Sequence, residues 1–230
     1  MISRRDSVIL APRLIAGGHV RITEIFHSIQ GESTYAGLPC VFIRVTGCPL
    51  RCTWCDTAYA FHEGQELGLD EISRRVRGYA CNLVEVTGGE PLHDPEGPTL
   101  IARLLDEGYT VLVETSGAVD VRPVDPRAIL IMDVKCPGSG MADRMLWSNL
   151  TALKPIDEVK FVIKDRVDYE WAKDVLDRTA LADRHTVLFS PVFGELDPKL
   201  LAAWLLQDGL RVRLQLQLHK HIWDPAARGV

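Results

Sequence analysis

The sequence predicts an α/β fold: a partial, abbreviated (β/α) barrel of parallel strands, with its site at their C-terminal ends. Three observations predict it. Short apolar, β-branched runs alternate with helical-period or turn-rich segments, the order expected of parallel strands joined by crossovers. Several crossovers look too short for helices, so the helical side is abbreviated. Unusual polar sequences (QGE, GCPLRC, TGGEP, ETSG, DVKCPGSG, KD, SP, QLH) follow successive strands. In (β/α) barrels that end of the strands carries the site. Gly and Pro mark turns anywhere, but eight such sequences in succession describe one site.

Taken in order, residues 21–29 alternate and are β-branched, a strand, and QGESTYAG after them is a turn-rich loop. Residues 40–46 form a second strand. Leu69, Ile72, Val76 and Tyr79 recur at helical spacing, which predicts an amphipathic helix over 69–79. Residues 83–86 are a strand ending in TGGEP. Pro98 opens a helix with Ile101, Leu104 and Leu105 inward, and Gly108 stops it. Strands over 110–113 and 128–132 end in ETSG and DVKCPGSG. A strand over 158–163 ends in KD and precedes a helix carrying Trp171, Val175 and Leu176. A strand over 186–189 ends in SP, and Asp197-Pro198 starts a helix that runs to about residue 207. Residues 211–218 read as a last strand, with Val212, Leu214, Leu216 and Leu218 on one face.

No linker or repeat divides the chain, so its 230 residues are read as a single domain, with residues 1–20 as an N-terminal extension or edge segment. A net charge of −5 without a Lys/Arg run offers nothing to nucleic acid or an anionic membrane. No apolar run approaches the ~18–20 residues of a membrane span. Cys40, Cys81 and Cys136 sit among strand-like residues as reduced core thiols, which suits the cytoplasm.

The stretch at 47–59, GCPLRCTWCDTAY, carries the chemistry. Cys48, Cys52 and Cys55 stand in a C-x3-C-x2-C spacing. Three thiolates can hold three corners of one iron–sulfur cube and leave the fourth iron without a protein ligand, open to a small molecule. A Cys3His zinc site with His62, or a chance spacing of buried cysteines, would also give three such thiols.

This spacing is the signature of the radical S-adenosylmethionine (SAM) enzymes, and the fold expected is the partial barrel of that type. The further combination of IFHSIQGE, R-x3-C-x3-C-x2-CDT, TGGEP, ETSG and a terminal HK resembles the 7-carboxy-7-deazaguanine synthases, over about residues 22–223. The resemblance implies a 4Fe–4S cluster on Cys48, Cys52 and Cys55, with SAM on the open iron. It implies conversion of 6-carboxy-5,6,7,8-tetrahydropterin to 7-carboxy-7-deazaguanine by radical ring contraction, for 7-deazapurine and queuosine biosynthesis. It places SAM against Trp54, Asp56, Gly89, Glu90, Ser116, Asp133, Lys135, Ser139 and Ser190. It places the pterin against Ile29, Gln30, Gly31, Glu32, Arg44, Thr87, Gln217 and His219, and a Mg2+ on Thr57.

Each assignment has a plainer counterpart. Glu90 can be a solvated Glu after a Gly-Gly turn, Arg44 a structural partner of a core carboxylate, His219 a surface histidine and Thr57 a local cap. Ser33 stands where the family commonly has Gly. The resemblance also implies a flavodoxin or ferredoxin as electron donor and a homodimer. A second reading is an activase of a glycyl-radical enzyme, which shares the cysteine spacing and acts on a protein partner.

Overall fold

In the computed structural model, which describes residues 18–230, nine strands form one open sheet in the order β3-β1-β2-β4-β5-β6-β7-β8-β9. They are β1 His19–Ile29, β2 Pro39–Val45, β3 Gln65–Gly68, β4 Leu83–Gly88 and β5 Thr110–Thr115. The other four are β6 Ile129–Asp133, β7 Glu158–Ile163, β8 Thr186–Pro191 and β9 Arg213–Leu214. The helices are α1 Leu69–Arg77, α2 Gly97–Asp106, α3 Arg166–Thr179, α4 Leu181–Arg184, α5 Pro198–Asp208 and α6 His219–Ile222. Residues 1–17 of the expected N-terminal segment lie outside the described residues, and His19 and Val20 already belong to β1.

From β2 through β9 the neighbours are parallel. The crossovers between β5 and β6 and between β6 and β7 carry no α-helix, only three short 3-10 turns in the second. Asp165 and Asp197 cap α3 and α5, accepting from Val167 N and Lys199 N, as their place before the helical period predicts.

Strand alternation divides the residues between two faces. Val41, Ile43, Val84, Val86, Val111, Val113, Leu130, Met132, Val159 and Phe161 join the helices in the main core. Cys40, Phe42, Leu83, Leu112, Ile129 and Ile131 form an apolar patch on the opposite face. The same alternation puts Arg44, Glu85, Thr87, Glu114, Asp133 and Lys160 on that second face.

Two elements differ from the sequence reading. First, β1 is antiparallel to β2, with Ile29 opposite Pro39. The QGE sequence therefore leaves from the N-terminal edge of the parallel strands, not from their C-terminal ends. The loop over residues 30–38 folds back into the barrel as its floor, where the Thr34 hydroxyl and backbone N–H both donate to Glu158. Second, the strand expected over 211–218 pairs only at Arg213 and Leu214. Leu214 is exposed and Gln215 buried, and the chain then turns toward the floor, with Leu218 N donating to Gly31 O at 2.9 Å.

Ser33 has φ 62°, a left-handed conformation that favours glycine. Its hydroxyl accepts from Tyr35 N at 3.1 Å, which recovers part of the cost. Ser33→Gly should raise stability by up to about 1 kcal/mol, or a Tm rise of about 2–4 °C for a chain of this size. Calorimetric melting checks this; a lower Tm would mean the hydroxyl contact outweighs the strain.

Candidate active site

The residues assigned from the sequence line one cavity of about 690 Å³, except Glu90, Ser139 and Ser190. The cysteine loop enters this cavity at the end of β2. Its root is fixed by backbone bonds from Gly47 N to Ala60 O and from Glu90 N to Gly47 O, both 2.8 Å. A Cβ on Gly89 would overlap the Gly47 carbonyl, and one on Gly88 would overlap Val45. The glycines of TGGEP are thus required for close approach of the β2 and β4 ends and the loops that leave them, and not only of a ligand. Farther along, Thr53 donates through its N–H to Ser139 O at 3.1 Å and through its hydroxyl to Gly138 O at 3.0 Å.

Cys48, Cys52 and Cys55 are partly buried free thiols on the cavity wall. Burial raises Cys48 and Cys52 above the usual thiol range. Soft thiol donors on one loop fit an iron–sulfur cluster. His62, the fourth ligand of the zinc alternative, is exposed and edge-on to Phe61. Among the described residues no three His, Cys, Asp or Glu are close enough to hold a single metal ion. The thiolates of a cube bind separate irons and need not converge on one point. Thr57 precedes a 3-10 turn without a side-chain cap bond, and among the described residues its hydroxyl has a single polar contact, the Cys55 sulfur at 3.8 Å. A hydroxyl so placed is available to a Mg2+, which needs few protein ligands.

Glu90, expected against the SAM ammonium, lies just behind the cavity wall. It is fully buried, and its carboxylate accepts from Leu92 N at 3.0 Å, Ser116 N at 2.6 Å and the Thr115 and Ser116 hydroxyls. It ties the end of β4 to the end of β5. Ser139 likewise turns inward, donating to Cys136 O at 2.6 Å and accepting from Met141 N at 3.1 Å. Ser190 is buried in β8. Ser116, Asp133 and Lys135 do reach the cavity. Lys135 donates to Asp133 at 2.5 Å. Burial opposes the Asp133 charge, but Lys135 and Lys160 outweigh it and hold the carboxyl below its usual range.

Opposite the cysteine loop lies a charged edge built around Lys160. Its ammonium donates to Glu32 at 2.9 Å and to Glu114, and stands 3.6 Å from Asp133. Glu32 also accepts from Gln217 Nε2 at 3.0 Å. Burial works against the Glu32 charge, yet Lys160 keeps its carboxyl below the usual range. Glu114 accepts from the Thr87 hydroxyl at 2.9 Å. Arg44 donates through Nε to Glu24 at 2.7 Å, and Glu24 accepts from the Tyr59 hydroxyl at 2.7 Å. Burial, with Glu24 after it, pushes the Tyr59 hydroxyl up to about 12. The guanidinium is held by its inner nitrogen, which leaves the outer two for a ligand. Burial lowers His219 below the ordinary histidine range, so the ring is neutral at pH 7.

Gln30, expected at a pterin edge, lines the cavity and also braces the floor loop. Its Nε2 donates to Glu85 and its Oε1 accepts from Glu32 N at 2.9 Å, so each end of the amide has a partner in the protein. Asp56 faces the C-terminal segment, accepting from Lys220 at 2.7 Å. That segment closes one side of the cavity: Arg228 stacks 3.7 Å from the Tyr59 ring centroid, pairs with Glu63 at 2.9 Å and lines the site with Val230.

Sequence reasoning missed Glu24, Tyr59, Glu85, Glu114, Lys160, Lys220 and Arg228. For Glu85 and Glu114 the signal was present, a single charged residue at an alternate position of an otherwise apolar strand, and Lys160 shares the alternation of its strand with Glu158.

The family model of the Radical SAM superfamily matches residues 42–135, from the second strand through Lys135. The fold is shared with the crystal structure of QueE from Escherichia coli, at a TM-score of 0.72 and 23% identity over 87% of this chain and 95% of that one. It is shared more distantly with Streptococcus suis SuiB, at a TM-score of 0.54 and 12% identity over 74% and 47%. Motif, fold and cavity together define a radical SAM enzyme. The chain is also 46% identical to the 7-carboxy-7-deazaguanine synthase of Chlorobaculum tepidum, over 92% of this chain and 97% of that protein. It is 39% identical to that of Thermoplasma acidophilum, over 88% and 96%. It belongs to the 7-carboxy-7-deazaguanine synthase family.

Proposed function

We propose that the chain converts 6-carboxy-5,6,7,8-tetrahydropterin to 7-carboxy-7-deazaguanine by radical ring contraction with loss of ammonia. Ammonia accounts for the whole atom difference between the two molecules, so no net oxidant is needed. The observation that carries the reading is that three free thiols and a carboxylate–lysine–arginine edge face the same cavity. Family membership supports it further, and does not favour the activase reading.

Cys48, Cys52 and Cys55 would hold the 4Fe–4S cluster, which when bound and reduced by one electron would supply, with SAM, a 5′-deoxyadenosyl radical and methionine. Asp133, Lys135 and Ser116 bind SAM on the β5–β6 side of the cavity. Trp54 excludes water from the cysteine loop. Glu32 accepts from the amino–imino edge of the pterin, and its pairing with Lys160 and Gln217 fixes its direction. The free nitrogens of Arg44 take the substrate carboxylate, and Thr57 would hold a Mg2+, whose charge would offset that of the carboxylate. Neutral His219 can donate to or accept from the pterin without adding charge.

The described residues work as a single domain. By the family resemblance the chain is a cytoplasmic homodimer served by a flavodoxin or ferredoxin. Among the described residues no helix is long and apolar enough to cross a membrane.

The test is an anaerobic assay of the reconstituted protein with SAM, reductant, Mg2+ and the tetrahydropterin, read by mass spectrometry. Formation of 7-carboxy-7-deazaguanine is expected; deoxyadenosine without it would overturn the substrate assignment. In the same assay Thr57→Ala should lower activity by about 10-fold or more and blunt the response to Mg2+, with iron content unchanged. An unaltered Mg2+ titration would remove Thr57 from that role.

A further inference from the structure

Glu85 is buried on the cavity side of β4, 4% exposed, and no part of the function above uses it. The register sets it beside Phe42 of β2 and Leu112 of β5, apolar side chains in both directions across the sheet. Among the described residues its side chain has one hydrogen-bond partner, and that partner is uncharged: the Gln30 Nε2, which donates to Oε2. The cation of that wall, Lys160, is engaged by Glu32, Glu114 and Asp133. At the other end of the same amide, Gln30 Oε1 accepts from the Glu32 backbone N–H. The chain of contacts therefore runs from β4, through Glu85 and Gln30, to the backbone of Glu32 on the floor loop.

We propose that Glu85 is a positioning residue for the substrate: it fixes the orientation of the Gln30 amide, and Gln30 fixes Glu32. The proposal rests on the function assigned above. An amide can flip between two orientations that differ only in which end donates. With an acceptor at Glu85 and a donor at Glu32 N, only one orientation satisfies both ends. Glu32 is thereby held from its backbone as well as from its carboxylate, which Lys160 and Gln217 hold independently. Small errors in placing a reactant have large effects on rate, so a brace on the recognising carboxylate affects binding and turnover without being needed for the fold.

The groups facing Glu85 favour its uncharged form over the carboxylate. They are Gln30 and Glu32 from the floor loop, Glu114 from β5, Lys160 from β7 and Cys40 from β2. Burial first, then the Glu114 carboxylate, push Glu85 well above the usual carboxylate range, against the weaker pull of Lys160. A neutral carboxyl still offers its carbonyl oxygen to Gln30. It adds no fourth negative charge to a wall where Glu32, Glu114 and Asp133 already face Lys160.

Two variants of the full chain test this, Glu85→Gln and Glu85→Met. Three quantities are read: kcat and KM for the tetrahydropterin, its Kd on SAM-loaded enzyme without reductant, and Tm against pH. Glutamine keeps the acceptor and the shape, so KM and Kd should stay within about 3-fold of wild type. Methionine keeps the length but leaves Gln30 unbraced, and Kd should weaken about 10-fold, a loss of about 1.4 kcal/mol. The sign of the pH effect follows from linkage. A carboxyl raised in the folded state stabilises it least at high pH, because the unfolded chain ionises more readily. Wild type should therefore lose Tm relative to Glu85→Gln as pH rises above the ordinary carboxylate range and on toward the raised value.

A Glu85→Gln enzyme with normal Tm and more than 100-fold lower kcat would overturn the proposal and make Glu85 an ionised participant. Unchanged Kd in Glu85→Met would overturn it as well. Failure of the underlying function is visible separately, since wild type would then form no 7-carboxy-7-deazaguanine before any variant is compared.

Discussion

Cys52→Ala is expected to give a folded chain with fewer than four irons and product formation at least about 10³-fold below wild type, equivalent to about 4 kcal/mol of barrier. The two parts of this result separate because the loop does not depend on the thiol for its shape. Its root is held by Gly47 N to Ala60 O and by Glu90 N to Gly47 O, and its middle by Thr53 against Gly138 and Ser139. Arg51 adds its guanidinium, 4.1 Å from the Phe61 ring centroid. None of these contacts involves the Cys52 sulfur. The control is Cys136→Ala. That thiol is fully buried in the main core and off the cavity wall, so the variant should bind iron normally and lose only packing. Iron and sulfide analysis with thermal melting reads both. Full iron and activity in Cys52→Ala would sink the ligand assignment.

How much was legible in the sequence differs by element, for physical reasons. The β4-to-β8 strands and α1 to α3 were legible because period-two and helical-period patterns are local and the core enforces them. The antiparallel start was also within reach. The link over residues 30–38 has nine residues, and a parallel crossover needs about a dozen or more. The end of the chain was not legible: residues 211–218 alternate like a strand, but past Leu214 they leave the sheet edge to meet Gly31. Leu214 is left exposed there and Gln215 buried, against the alternation expected of the apolar residues. At the site, the cysteine loop and Arg44 carry their chemistry in their spacing. Glu90 and Gln30 do not, because whether a polar side chain meets a ligand or a neighbouring loop depends on partners distant in sequence, such as Ser116 and Glu85.

Lys160 is the residue where that distinction has the largest consequence. Lys160→Met should destabilise the chain by about 3–5 kcal/mol, the cost of leaving buried carboxylates without their cation. At about 2–4 °C per kcal/mol, Tm falls by on the order of 10 °C. The side chain is 5% exposed and serves Glu32 from the floor loop, Glu114 from β5 and Asp133 from β6. Methionine fills the space and supplies no charge, so packing loss is not the cause. The pH dependence identifies the mechanism. Glu32 and Asp133 are held below their usual range in wild type, so their contribution is present above the ordinary carboxylate pKa and is lost as pH falls through the lowered values. The gap in Tm between wild type and Lys160→Met should therefore be widest near neutrality and close as these carboxylates protonate. Adding Glu114→Gln to Lys160→Met removes one orphaned charge and should recover part of the stability but not of substrate binding, which needs Glu32 in place. A Tm gap that did not narrow in acid would mean that lost packing, not orphaned charge, sets the cost. The three carboxylates would then be reaching solvent through the cavity they line.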